Sequence, residues 1–279
     1  VEQYSNNVQM LSQQKGSLLR GTVDVENVVG NNAFFEQVGV ATAQKRVSRH
    51  SDTPQLDTPH ARRRVSLVDY EYADLIDTQD KVRSLIDPTS SYASAAAFAL
   101  GRAMDDEIIV AATGTAFTGV TGSTSTALPS GQAITESGTD GLTLAKLRTA
   151  KEKFDGADVD PSLPRFMIVG PRQISDLLGT TSVTSSDFNT VKALVHGEID
   201  TFMGFKFLRS ERLTADSNGD TQCIAWIHDG IGLSMGMDVK TEISERSDKN
   251  YSTQVYAQMC LGAVRIEDEK VVEIACTDS

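Results

Sequence analysis

The sequence predicts an α+β fold in which one long helix is combined with a compact α/β region and a series of strands. An alanine-rich helical pattern runs from Pro88 to about Ala112, and helical and buried-strand patterns alternate between residues 142 and 197. Strand patterns dominate the chain after Ile199. The 279 residues are enough to bury a substantial core.

Residues 1–30 are expected to form an arm without a core of its own. Gln, Asn and Ser dominate Val1–Lys15, and the later apolar residues are too few to close a core. We expect this segment to be disordered or laid across another surface. The start of the chain does not have the pattern of a signal peptide, and no apolar run reaches the ~20 residues that span a bilayer. These features predict a soluble chain with no membrane partner.

A long hairpin is predicted to follow the arm. Phe34–Ala43 alternates like a strand, and Arg64–Leu75 is expected to be the strand that returns. The connection between them, Arg46–Arg63, contains Pro54 and Pro59, which cannot serve a central strand. Such a long connection is uncommon in a compact domain and is typical of a loop with a function or a partner.

The remainder of the chain is predicted to hold several helices and strands. A short helix is expected at Asp77–Leu85, and Asp87 can cap the long helix that begins at Pro88. Thr113–Asp140 is expected to be a loop with short strands. Further helices are predicted at Leu142–Phe154, Pro171–Leu178 and Phe188–His196, and further strands at Phe166–Val169, Phe205–Ser210, Cys223–His228, Gly232–Met237, Val239–Glu245, Tyr251–Leu261 and Val271–Ala275.

The charge of the chain is unevenly distributed. The formal net charge is -12, which disfavours a DNA-binding enzyme because an acidic chain is repelled by phosphate. The segment Lys45–Arg64, which spans the connection of the hairpin and the residue on either side of it, nevertheless carries six basic residues against Asp52 and Asp57, a balance of +4. The six basic residues are Lys45, Arg46, Arg49, Arg62, Arg63 and Arg64.

This basic segment has three interpretations. It could be a solvated loop, or a ribbon that binds nucleic acid, although no aromatic residues are interleaved for base stacking. The third interpretation is an arm that lies on the acidic body of a neighbouring identical subunit. We favour this inter-subunit contact because a chain of one net sign with an arm of the other is self-complementary head-to-tail, and such contacts close into rings or extend into lattices.

No catalytic, cofactor-binding or metal-binding residue is predicted. The side chains of Asp105, Asp106 and Glu107 point about 100° apart on a helix, so we expect a solvated face and not a metal site. The four histidines form no metal or catalytic motif, and the segment Gly114–Gly122 lacks the lysine of a phosphate loop. The three cysteines match no zinc or redox pattern and are expected to be buried thiols.

The order of these features resembles that of tailed-phage major capsid proteins with the HK97-like fold. Asp80–Pro88, followed by Ala99–Ile108, resembles the spine region of those proteins. The likeness in architecture covers nearly the whole chain, with a more specific match in Ser66–Ala112. The resemblance implies an N-terminal arm at 1–30, an extended hairpin or E-loop at 31–74, a P domain with the spine helix at 75–140, an A domain at 141–213, and strands returning to the A and P domains at 214–279.

The resemblance also implies a function. Identical subunits would assemble as pentamers and hexamers into an icosahedral shell around double-stranded phage DNA, without sequence-specific binding and without an enzymatic site. The chain would be made in the host cytoplasm and reside in the virion. Scaffolding, portal and cement proteins are candidate further partners. No scaffolding segment is visible, which predicts a separate scaffold or a completed cut, and no crosslinking partner is identified for Lys45.

Three alternatives remain at this stage. An encapsulin-like cellular shell would share the fold and would have a groove for cargo. An α/β hydrolase-type enzyme would be favoured if His196 or His228 lay within hydrogen-bond reach of a serine or aspartate in a pocket. A basic-ribbon nucleic-acid binder would show a strongly salt-dependent affinity for DNA.

Overall fold

The computed structural model describes residues 13–49, 52–53, 55–77, 89–135, 141–157, 159–179, 201–216 and 218–277. The α-helices in these ranges are α1 (Thr89–Thr113), α2 (Leu144–Gly156) and α3 (Pro171–Gly179). The strands are β1 (Asp24–Asn27), β2 (Asn32–Val38), β3 (His60–Ser66), β4 (Val68–Ile76), β5 (Ala116–Thr118), β6 (Thr124–Thr126), β7 (Ala133–Ile134), β8 (Arg165–Val169), β9 (Thr201–Phe202), β10 (Phe205–Arg209), β11 (Thr221–Ile227), β12 (Ile231–Arg246), β13 (Ser252–Arg265) and β14 (Val271–Cys276). The predicted helix at Phe188–His196, and all of Asp77–Leu85 except Asp77, lie outside the described residues.

The first sheet packs against the long helix α1. The bounds of α1 confirm the helix predicted from Pro88 to about Ala112. The strand order of the sheet is β1-β12-β13-β4, with β1 parallel to β12 and the other pairs antiparallel. Strand β12 runs continuously where the sequence predicted two strands separated at Asp238. Two register shifts, between Met235 and Met237 and between Met237 and Lys240, interrupt the pairing there. Such bulges disturb the alternation of apolar residues without ending a strand.

The second sheet separates two cores. Its strand order is β7-β14-β11-β8-β10-β9. In β8, Met167 and Val169 join a core with α2 and α3, whereas Phe166 and Ile168 join the core that contains α1. Strand β8 is therefore buried on both faces, which explains its continuous apolar sequence.

The third sheet holds the base of the hairpin. Its strand order is β2-β3-β5-β6, and all its pairs are antiparallel. The predicted return strand Arg64–Leu75 is wrong, because β3 ends at Ser66 and β4 joins the first sheet instead. The break falls at Leu67, whose side chain packs so closely over Gly236 that a Cβ on that glycine would lie 2.9 Å from Leu67 Cδ1.

The arm packs partly on its own chain, which corrects the expectation that it has no core. Leu19 and Val23 are 1% and 2% exposed and join the core that contains α1. The indole Nε1 of Trp226 donates a hydrogen bond to the carbonyl of Thr22 at 3.0 Å, and β1 pairs with β12. The core that receives the arm is built from residues far along the chain, so the few apolar residues of the arm are sufficient.

Asp105 of α1 fixes the backbone of the arm. Its carboxylate accepts hydrogen bonds from the Ser17 hydroxyl at 2.5 Å and from the amides of Leu18 and Leu19 at 3.0 and 3.1 Å. Asp105 is 1% exposed, so the expected solvated position is wrong. Hydrogen bonds from several donors offset the cost of burying a carboxylate.

Gly101, one turn before Asp105, allows the arm to approach the helix. A Cβ on Gly101 would lie 2.6 Å from the carbonyl carbon of Gly16 and 2.7 Å from the amide nitrogen of Ser17. Both contacts are with backbone atoms, which cannot move aside as a flexible side chain can. The arm therefore crosses α1 at the one helical position without a side chain.

A group of three charged residues, two buried arginines and a partly buried aspartate, joins the hairpin to the body. The carboxylate of Asp268 accepts from Arg63 of β3 at 2.8 Å and from Arg265 of β13 at 2.6 Å. Arg265 is 0% exposed and Arg63 is 7% exposed. Each buried guanidinium thus has a carboxylate partner, without which its burial would be costly.

Arg265 also caps the C-terminal end of the long helix α1. It donates to the carbonyls of Ala112 at 3.0 Å and Gly114 at 2.7 Å, and to that of Thr126 in β6 at 3.2 Å. The last carbonyls of a helix have no intrahelical donor, and a cation is favoured at this end. One side chain therefore connects α1, β6 and β13.

We predict that Gly101→Ala destabilises the subunit although alanine favours helix. The gain in helix propensity is about 1 kcal/mol, whereas overpacking against backbone costs about 1–3 kcal/mol. The expected net loss in the free energy of unfolding is measured by urea denaturation of dissociated subunits. Trypsin should also cut faster at Lys15 and Arg20, because the arm is displaced.

Gly156→Ala is the matched control for this substitution. Gly156 ends helix α2, and a Cβ there would meet no atom within 4 Å. Its variant should keep the stability and trypsin resistance of the unchanged chain. Equal unfolding free energies and equal rates of trypsin cleavage for the two variants would show that Gly101 is not needed for the arm to pack against α1.

Asp268→Asn is predicted to cost about 3 kcal/mol of unfolding free energy, because it leaves two buried guanidinium groups without a countercharge. Asp248→Asn is the control, since Asp248 pairs with Arg246 at 2.7 Å in an exposed turn. The control should denature at the same urea concentration as the unchanged chain. A midpoint for Asp268→Asn as high as that of the control would contradict the proposed role of Asp268.

Candidate assembly interface

The six basic residues predicted as an inter-subunit contact fall into two groups. Lys45, Arg46 and Arg49 lie in the loop between β2 and β3, hereafter the connecting loop (residues 39–59), and their side chains are exposed. The Arg46 guanidinium donates to the backbone carbonyls of Ser48, at 2.9 Å, and Arg49. Within the described ranges, none of these three cations forms an ion pair.

The second group lies in β3 and not at the hairpin tip, so the predicted position of Arg62, Arg63 and Arg64 is wrong. Arg62 pairs with Glu36 at 2.9 Å, and the Arg64 guanidinium lies 4.9 Å from the centre of the Phe117 ring. These partners come from β2 and β5, which flank β3 in the third sheet. The predicted inter-subunit contact stays a prediction, and Lys45, Arg46 and Arg49 are the residues whose charges are available for it.

The rest of the acidic cluster on α1 also has structural partners. Asp106 forms an ion pair with Arg212, and Glu107 accepts a hydrogen bond from the Tyr70 hydroxyl. Burial, and then the bond to Glu107, raise the pKa of Tyr70 well above its ordinary value, so the hydroxyl stays protonated as a donor. The three neighbouring carboxylates face different directions and attach different segments to α1, and for this reason the predicted solvated face is wrong.

The sequence contains part of the information needed to predict how these carboxylates are arranged. Asp105 lies four residues after Gly101, so the two share one face of the helix. When the apolar face of a helix contains both a glycine and an aspartate, it indicates that another segment of the chain crosses the helix closely there. The backbone amides of that segment need the aspartate as a hydrogen-bond acceptor. No comparable signal identified Arg265 or Asp268, whose partners are distant in sequence.

The histidines and cysteines provide no catalytic arrangement in the described part of the chain. The His228 ring lies 6.4 Å from that of Phe166, and none of its hydrogen bonds in the described ranges joins its imidazole to a serine or aspartate. His196 lies outside those ranges. Cys223 and Cys276 are buried, as predicted, and Cys260 is partly buried. A hydrogen bond with Asp69, together with burial, raises the pKa of Cys260 to about 11.

Metal-ligand clusters and membrane-spanning helices are both absent from the described residues. No group of three or more His, Cys, Asp or Glu side chains is placed to hold a metal ion in these residues. None of the helices found in them is long and apolar enough to cross a membrane.

Solved structures with the same fold come from several phages. The capsid of cyanophage P-SCSP1u is 19% identical with a TM-score of 0.75, and the match covers 100% of this chain and 93% of that chain. A Mycobacterium phage Che8 structure is 17% identical with a TM-score of 0.74, covering 98% and 96%. The capsid of Ralstonia phage GP4 is 8% identical with a TM-score of 0.76, covering 100% and 95%. At these identities the likeness shows the fold.

The family is shown by sequence. A search of curated proteins finds no match. The family model described as phage capsid protein matches residues 1–278, which is all but the last residue of the chain. The chain therefore belongs to the phage capsid protein family.

Proposed function

We propose that identical copies of this chain assemble as pentamers and hexamers into the icosahedral shell of a tailed phage and enclose its double-stranded DNA. As a phage capsid protein, the chain is a structural component of the virion shell. The observation that carries the proposal is the family match across residues 1–278. The mixed α+β fold, with one long helix and several sheets, is also that of the phage capsid structures.

The proposed shell subunit follows the HK97-like plan implied by the sequence resemblance. The arm would be 1–30, the E-loop 31–74, the P domain 75–140, the A domain 141–213, and the returning strands 214–279. This division is supported by the two large cores, one of which contains α1 and the other α2 and α3. The connecting loop would be the distal part of the E-loop.

The connecting loop supports assembly because its apolar side chains are exposed to water in the single chain. Val40 is 93% exposed, Val47 is 94% exposed and Leu56 is 48% exposed. A two-stranded ribbon gains little stability alone, and its apolar residues leave water only when another surface covers them. A neighbouring subunit in a shell would supply that surface.

We propose no catalytic role for the chain. The position of His228 beside Phe166, without a serine or aspartate bonded to its imidazole among the described residues, does not favour the hydrolase alternative. The phage family match favours a phage shell over an encapsulin-like compartment. Synthesis in the host cytoplasm, and scaffolding, portal and cement partners, are further parts of the proposal.

DNA would be enclosed by the shell without being bound tightly by its subunits. The net charge of -12 repels phosphate, which suits a container for packed DNA. The chain would therefore act through contacts between subunits and not through recognition of a DNA sequence. Scaffold, portal and cement contacts would add to those between identical copies.

We predict that the expressed chain forms closed shells of uniform size, as seen by negative-stain electron microscopy and analytical ultracentrifugation. The matched control replaces residues 39–59 by an Asn-Gly turn, which suits a short hairpin between Val38 and His60. This control should keep the circular dichroism spectrum of the subunit and form no shells. A monodisperse monomer from the unchanged chain would contradict the proposed function.

A further inference from the structure

An acidic cleft of about 1020 Å³ lies beside the base of the hairpin. It is bounded by β1, by the β2–β3 base, and by residues 266–270, which join β13 to β14. Seven carboxylates line the cleft against one arginine and one lysine. The cleft is therefore strongly acidic and open to solvent.

Part of this acidity is neutralised within the chain. Glu36 pairs with Arg62 at 2.9 Å, and Asp229 and Glu267 pair with Lys270 at 2.7 and 2.8 Å. Asp268 contacts the two buried arginines described above. Asp24, Glu26 and Glu269 are the other three carboxylates of the lining. In the described residues these three carboxylates form no ion pair, so they leave a local charge that a cationic partner would neutralise.

Buried polar atoms at the cleft also lack partners. Arg63 Nη1, Asp229 Oδ1 and Gln132 Oε1 are buried and make no hydrogen bond in the described structure. All three residues line the cleft, and the Arg63 side chain is only 9% exposed. Buried polar groups are normally hydrogen-bonded, so an unpaired donor and two unpaired acceptors indicate that a polar ligand completes this site.

The connecting loop has the complementary chemistry. It carries three exposed cations, Lys45, Arg46 and Arg49, and the 94% exposed Val47. Within one chain the loop does not fill the cleft, because among its described residues only those at its two ends, Gly39, Val40 and Pro59, line it. The backbone amides and carbonyls of such a segment can pair with both donors and acceptors.

We propose that the acidic cleft of one subunit holds the connecting loop of a second copy of this chain, with Lys45, Arg46 and Arg49 facing Asp24, Glu26 and Glu269. The proposal rests on the proposed shell function and names the surface through which neighbours join. A loop that enters a cleft at the base of the next hairpin is a head-to-tail contact, which closes into rings. Charge pairing sets the partner and its register.

Another acidic surface is less suited to the loop. The outer face of the first sheet carries Glu71 of β4, which lies opposite Gln258 of β13, and Glu242 of β12, which lies opposite Tyr256 of β13. Glu242 already forms an ion pair with Lys240 at 2.6 Å, and Glu71 accepts a hydrogen bond from Tyr256 at 3.3 Å. This face therefore offers fewer free carboxylates than the cleft does.

Charge reversal on each side tests the contact. The loop variant is K45E/R46E/R49E and the cleft variant is D24K/E26K/E269K. Each variant alone should raise the critical concentration for shell assembly about tenfold or more, because like charges then face each other. A chain with both sets of changes should assemble at a concentration near that of the unchanged chain.

All six positions lie outside the buried Arg63–Asp268–Arg265 contact, so the variants should keep the circular dichroism spectrum and thermal midpoint of the unchanged subunit. Normal assembly by the cleft variant would overturn the proposal. If the loop variant alone failed to assemble, the shell function would stand and the cleft would be excluded as the loop's partner. Failure of the sixfold variant to recover assembly would also count against the pairing.

Carbodiimide crosslinking gives an independent measurement. Shells assembled from ¹⁵N-labelled and unlabelled subunits are treated with carbodiimide, which joins a lysine amine to a nearby carboxylate. Mass spectrometry should find Lys45 joined to Glu26 or Glu269 in peptides of mixed label. Crosslinks of Lys45 within one chain only, or to Glu71 or Glu242, would overturn the proposal.

Discussion

The carboxylate of Asp268 lies between two buried guanidinium groups, those of Arg63 and Arg265. Through Arg63 it holds the base of the hairpin, and through Arg265 it connects to the end of α1 and to β6. Because both buried guanidinium groups need this carboxylate as a countercharge, the hairpin base, the long helix and the last strands form one unit. The hairpin consequently has a fixed base, while its connecting loop stays exposed.

The arm is attached by a second contact of the same kind. Asp105 fixes the backbone at Ser17–Leu19, and Gly101 lets the chain approach the helix at Gly16. Both extended segments therefore leave the body from defined positions. Extended segments with ordered bases lose less conformational entropy when they bind a neighbour, which favours assembly of many identical copies.

The sequence predicted the regular elements better than their contacts. The long helix, α2 and the buried strand β8 follow from periodicity, which depends only on neighbours along the chain. The single strand β12 was missed because bulges near Met237 disturb that periodicity. The partners of Arg63 and Asp105 were missed because they lie 205 and 86 to 88 residues away in sequence. Charge alone indicated an external partner for Arg63, whereas its position in β3 gives it an internal one.

Hydrogen–deuterium exchange of the free subunit, followed by mass spectrometry, tests most directly whether both extensions are attached to their own body. We predict slow exchange in β1 and in the β2–β3 base, comparable with that of β13, and fast exchange in the connecting loop. The connecting loop should become protected when shells form. Exchange in β1 or β3 as fast as in the connecting loop of the free subunit would contradict the account.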